Sequence, residues 1–172
     1  MKPITILITA ILICIVLVST SAQTIDYPEY TIEERWERAA MLYSVSNALF
    51  VRQEMEAGKT VEEIGQTIAT ILGPGWSGVT TPAMMARAMH RNWLIWPEAE
   101  FIVDENPDGS VTIQANRPYK ELFGKSGILY DVKLQDADIV WYFFYKNIAK
   151  QQGMEYYQSE EDGWLMIKIS SK

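Results

Sequence analysis

The chain has 172 residues and carries 15 Lys+Arg against 22 Asp+Glu, a formal net charge of −7, with a single cysteine and a single histidine. That acidic balance argues against a nucleic-acid partner, whose phosphates call for clustered Lys and Arg. One cysteine permits no intrachain disulfide, and one histidine provides no paired-nitrogen metal site.

Taken from the start, Met1-Lys2 precedes an apolar run over 4–18 and then Ser19-Thr20-Ser21-Ala22-Gln23. A basic start, a greasy run and small residues form the pattern of a secretory signal peptide cleaved after Ala22. The run is shorter than the roughly 20 residues that a membrane span needs. An uncleaved N-terminal anchor is the alternative, and the only expected route to a membrane. Ile13 before Cys14 is too large for a lipobox. The expected organisation is a signal peptide over 1–22, a tether over 23–30 and a single domain over 31–172. Such a protein is exported to the cell envelope, periplasmic or extracellular, and its mature domain has no thiol.

Thr31-Ile32-Glu33-Glu34 and Thr60-Val61-Glu62-Glu63 are capping boxes, in which Thr and the Glu three residues later satisfy each other's free amides. They open helices over 31–58 and 60–72. Trp36, Ala39, Ala40, Tyr43, Asn47 and Phe50 give the first helix its expected inward stripe, widened by Leu42, Val45 and Leu49. Val61, Ile64, Ile68, Ile71 and Leu72 form that of the second, which Gly73-Pro74 stops. Thr81-Pro82 opens a third helix to about Asn92, with Met85, Ala88 and Met89 inward.

Strands are expected over 99–104 and 110–116, where Val111, Ile113 and Ala115 alternate with Thr112 and Gln114. Residues 118–123 read as one helical turn and 124–131 as mostly loop. The helix over 134–152 carries Trp141-Tyr142-Phe143-Phe144-Tyr145, five aromatics that cannot share one face, and ends at Lys150 and Gly153. Ile139, Val140 and Phe143 are its expected inward stripe. A second hairpin over 154–158 and 164–170 turns at Glu160-Glu161-Asp162-Gly163. The order α-α-α-β-β-α-β-β predicts an α+β domain: N-terminal helices plus an antiparallel four-stranded sheet of two hairpins, packed on a central aromatic-rich helix.

No catalytic or cofactor motif stands up, and no cofactor is expected. Gly73-Pro74-Gly75-Trp76-Ser77-Gly78 has the letters of a dinucleotide loop, but a helix enters it and Pro74 removes an amide that a phosphate would need. Asp104, Asn106 and Asp108 match the start of a calcium loop, yet Ala115 stands where the bidentate Glu belongs. They are the metal candidates, against a plain Asx-rich turn. His90 is the catalytic candidate and lacks an evident partner.

Residues 101–169 resemble the L-2-amino-thiazoline-4-carboxylic acid hydrolase group and the related 4-vinyl-reductase-type sensor domains. The likeness rests on Val111-Thr112-Ile113 leading to Arg117-Pro118, a helix entered through Asp136 or Asp138, and a closing Asp162-Gly163 hairpin. The cysteines of those families are replaced by Asn116 and Met166, so no thiol role carries over. The resemblance implies a helix–sheet pocket for a small organic molecule. Trp141, Tyr142 and Tyr145 are the expected lining, and Arg117 the anchor for an acidic group. The first functional expectation is therefore an exported small-molecule-binding or sensing domain. An envelope protein-interaction module and a small hydrolase using His90 are its rivals.

Overall fold

A computed structural model describes residues 29–172. The signal peptide expected over 1–22 and most of the tether lie outside the described residues. The elements are α1 (Ile32–Glu56), α2 (Val61–Leu72), a 3₁₀ turn (Gly73–Trp76), α3 (Pro82–Trp93), β1 (Phe101–Glu105), β2 (Val111–Ala115) and a second 3₁₀ turn (Pro118–Phe123). These are followed by β3 (Ile128–Leu129), β4 (Val132–Lys133), α4 (Leu134–Gln151), β5 (Met154–Glu161) and β6 (Trp164–Ser171). Residues Thr31–Lys172 cluster as one compact unit, an α+β domain. No helix among the described residues is long and apolar enough to cross a membrane.

Both capping boxes form. The Glu34 carboxylate accepts from the Thr31 backbone N–H at 2.7 Å, and that of Glu63 from the Thr60 N–H at 2.8 Å. Thr81 caps α3 with Pro82 at its first position. Lys133 occupies the N-cap of α4 and makes no side-chain cap; Asp136 lies in the first turn, as expected, and Asp138 a turn in.

Two antiparallel hairpins join along β2 and β6, giving the strand order β1-β2-β6-β5. Val111, Ile113 and Ala115 stand opposite Ile169, Ile167 and Leu165, so one face of the sheet is apolar and fully buried. That face meets Met85, Ala86 and Met89 of α3 and Ile148 and Ala149 of α4. The second hairpin runs further than expected, to Glu161 opposite Trp164, and turns on two residues only. Asp162 and Gly163 both take positive φ (50° and 84°), the I′ geometry whose twist matches that of paired strands. The stretch read as loop contains a miniature hairpin, β3–β4, which also turns on positive-φ residues, Tyr130 and Asp131.

Helix α4 lies between the sheet and α2. Its fully buried residues are Val140, Phe144, Tyr145, Ile148 and Ala149, so the inward stripe passes through Phe144 and leaves Phe143 half-buried. At Gly65 the backbones of α2 and α4 nearly touch. A methyl placed there would lie 2.5 Å from the Val140 carbonyl oxygen and 2.7 Å from the Phe143 Cβ.

Helix α1 departs most from expectation. It docks through Ala40, Ser44, Ala48 and Val51, while Trp36, Leu42, Tyr43, Leu49 and Phe50 stay exposed. Small residues let a helix approach closely, and the large ones are displaced to the flanks. Two polar ties hold it: Trp36 Nε1 donates to the Ile95 carbonyl at 2.8 Å, and Arg52 pairs with Asp131 at 3.1 Å.

Candidate functional site

A cavity of about 730 Å³ lies among the helices, within the range usual for small-molecule sites. Its roof is the inner flank of α1, where Tyr43, Asn47, Ala48 and Phe50 look down. Its floor is α4, through Ala137, Val140, Trp141, Phe144 and Tyr145. Trp76 and Val79, after α2, close one side; Arg91, Asn92 and Trp93 of α3, with Trp96, close the other. Tyr119 and Phe123 of the second 3₁₀ turn complete the wall. Four of the six tryptophans therefore face one space.

These rings hold one another in place. Trp76 meets Phe144 edge-on at 6.0 Å and Tyr145 at 6.1 Å, and Trp141 meets Phe144 edge-on at 5.6 Å. Such pairs each add about 0.5–1.5 kcal/mol beyond burial and fix ring orientation. The loop Gly73–Trp76, unsuited to a dinucleotide, delivers Trp76 to this wall. Trp93 is fixed by its indole N–H, which donates to the Asn116 carbonyl at 3.1 Å. The Asn116 side chain in turn accepts from the Glu100 N–H and donates to the Glu98 carbonyl.

The cavity is thus on the helix side of α4. The expected space between α4 and the sheet is filled by Tyr142, Tyr156 and the apolar rungs, since the sheet's inner face packs directly on α3 and α4. Trp141 and Tyr145 line the cavity as expected residues; Tyr142 does not. Its ring lies 6.0 Å from that of Tyr156, with the Lys146 ammonium 5.1 Å over it.

Arg117 does not line the cavity either. Its Nη1 donates to Asp138 Oδ2 at 2.8 Å and its Nη2 to Glu160 Oε1 at 2.6 Å, and its side chain is only 7% exposed. The Tyr119 hydroxyl donates to the other Asp138 oxygen at 2.7 Å. Burial raises the Asp138 carboxyl above the ordinary aspartate value, while the Tyr119 and Arg117 donors act the other way. Burial, and then the charge of Asp138, push the Tyr119 hydroxyl well up. This network ties the second 3₁₀ turn to α4 and β5 and fixes Tyr119 at the cavity wall. It consumes the guanidinium expected to anchor a ligand.

The polar part of the lining comes from elsewhere. Burial pushes the Tyr145 hydroxyl up to about 12, a shift that the neighbouring Asn92 side chain opposes. Arg91 is exposed beside Asn92 and enters no ion pair or hydrogen bond among the described residues. It is the lining's only charged residue. Sequence reading passed over it because nothing in Met89-His90-Arg91-Asn92 marks one residue as cavity-facing before α1 is placed.

His90 points elsewhere. Its ring stacks on Phe101 at 5.2 Å, and it makes no hydrogen bond among the described residues. Among the described residues no hydrogen bond or ion pair joins its ring to a nucleophile or a carboxylate. Asp104, Asn106 and Asp108 fall in and beside the β1–β2 turn. Asp108 Oδ1 accepts from the Ser110 hydroxyl at 2.6 Å and amide at 2.9 Å, in that order lowering its carboxyl below the usual value. The Asn106 amide donates to Ser110 and Thr112. Asn106 and Asp108 are thus engaged within an Asx-rich turn, while Asp104 lies in β1 opposite Thr112. No group of three or more His, Cys, Asp or Glu among the described residues is placed to hold a metal ion.

No protein-family model, curated protein or solved structure matches the chain.

Proposed function

We propose that the chain is an exported small-molecule-binding or sensing domain, with its ligand held among α1, α3 and α4. The observation that carries this reading is the aromatic cavity, about 730 Å³, beneath a helix held by small residues and a few polar ties. Packed interiors rarely leave room beyond a water molecule. A space this size, walled by rings that fix each other, suits a bound organic molecule. Export is inferred from the pattern of residues 1–22, and the likeness of residues 101–169 to sensor-type domains points the same way in ligand class.

Native mass spectrometry of the purified full chain, alongside titration with an apolar fluorescent dye, tests this. A retained small molecule, or stoichiometric dye binding that Asn47→Phe abolishes while the thermal midpoint holds, supports it. Absence of both, with a rigid α1 by hydrogen exchange, would count against it. The rival reading, an envelope interaction module, has one observation in its favour: Leu42 and Leu49 stand exposed on α1, 49% and 44%. Loss of partner capture on Leu42→Ser and Leu49→Ser, with dye binding intact, would favour it.

A further inference from the structure

We infer that the ligand is an apolar molecule bearing one anionic group, with Arg91 as its anchor; this rests on the small-molecule reading above. Three observations converge. The lining carries a positive charge and no carboxylate at all, in a chain with 22 acids and a net charge of −7. A lining with one guanidinium and no carboxylate disfavours a cationic occupant electrostatically. Second, Arg91 has no ion pair among the described residues, and of the four arginines without one (Arg35, Arg38, Arg87 and Arg91) it alone lines the cavity. Third, uncharged polar side chains share the lining with it: Asn92 is its neighbour on α3, and Tyr43 and Asn47 of α1 border the same cavity. Amide and phenol groups can donate to an oxyanion, and a guanidinium offers a planar fork that matches a carboxylate.

The geometry also orders the ligand. Arg91 and Asn92 are exposed, whereas Val140, Phe144 and Tyr145 are buried at the floor. The charged end then stays at the mouth, partly in water, and the apolar body lies inward against the indoles. Keeping the head hydrated avoids the large cost of burying a charge. Aromatic walls by themselves would also attract a cation through their ring faces. Arg91 is what turns the preference toward an anion.

The test uses three probes with the same twelve-carbon tail: dodecanoate, dodecanol and dodecyltrimethylammonium, each below its micellar range. The full chain is titrated with each, read by tryptophan fluorescence and by displacement of an apolar dye. Dodecanoate should bind at least tenfold tighter than the other two. Arg91→Met should bring dodecanoate to the level of dodecanol while leaving dye affinity and the thermal midpoint unchanged, and Arg91→Lys should keep part of the preference. Equal binding of all three, tighter binding of the cation, or a preference that survives Arg91→Met would overturn the anionic assignment and leave the cavity reading standing. Failure of every probe and of the dye to bind would overturn both.

Discussion

Helix α2 packs closely along α4, whereas α1 meets the rest of the domain at α2, β4 and the second 3₁₀ turn. At the α2–α4 contact Gly65 brings two backbones so close that a single methyl has no room. Along α1 only Ala40, Ser44, Ala48 and Val51 are buried, and a cavity of about 730 Å³ opens between this helix and α4. The same central helix is therefore clamped on one side and loosely roofed on another. Small residues produce both outcomes. A glycine facing a flat stretch of backbone gives close contact. Alanines and serines flanked by Trp36, Tyr43 and Phe50 give a narrow seam with bulky edges, which cannot close over the space beside it.

The largest test of this contrast is along α4 itself. Phe144 is fully buried and Phe143 half-buried, so Phe144→Ala should cost ~3–5 kcal/mol, the usual range for a buried aromatic, and Phe143→Ala distinctly less. Urea melts of the two variants decide it, and equal losses would mean that the two sides of α4 are alike. Next comes Gly65→Ala. Helix propensity alone would favour alanine by up to about 1 kcal/mol. The close approach to Val140 and Phe143 should reverse the sign, for a net loss of about 1–3 kcal/mol from overpacking. Gly75→Ala, where a methyl meets nothing within 4 Å, is the control and should be nearly neutral. A stabilised Gly65→Ala would show that α2 and α4 can separate freely.

A smaller effect is expected at the roof. Trp36→Phe removes the indole N–H that donates to Ile95, at a cost of about 0.5–1.5 kcal/mol. Amide exchange should quicken across α1 and stay unchanged in α4. If both helices respond together, α1 is not an independently opening element.

The smallest effect is acid sensitivity. The Glu34 and Glu63 carboxyls sit below the ordinary 4.5 because the capping threonine's backbone amide, and then its hydroxyl, bonds to them. A carboxyl lowered in the fold stabilises it above 4.5, and that contribution is lost as pH falls through the depressed value. Asp138, raised above the ordinary 3.8, acts in the opposite sense: its protonation favours the fold. Glu63→Gln, at the start of the clamped helix, should flatten the acid side of the thermal-midpoint curve. Glu34→Gln should show only as faster exchange in the first turn of α1. Identical pH curves for the two variants would erase the distinction between clamp and roof.

Much of the fold was legible before any coordinates. Thr31/Glu34, Thr60/Glu63 and Thr81-Pro82 placed three helix starts, since capping depends on residues three apart and on little else. The alternation Val111, Ile113, Ala115 placed β2 and its buried face. The cavity was less legible. Two of the four residues expected at a ligand, Trp141 and Tyr145, do line it; Tyr142 packs at the sheet and Arg117 is held by Asp138 and Glu160. Five successive aromatics point all round a helix. Which of them face a space depends on what lies opposite.

The sequence by itself determined the main helices and the two hairpins of the large sheet, their order and the α+β class, but not the short β3–β4 hairpin, because caps, turns and a two-residue alternation act over a few positions. Tertiary structure alone decided which flank of α1 faces inward. Of the expected stripe, Ala40 is buried together with Ser44, Ala48 and Val51, while Tyr43, Asn47 and Phe50 border the cavity and Trp36 stays exposed. Burial area alone favours the large residues, but which of them are covered depends on where the neighbouring elements lie. That is settled only when α2, α3 and α4 are in place, and the outcome leaves Arg91 facing a cavity with no other charge in its lining.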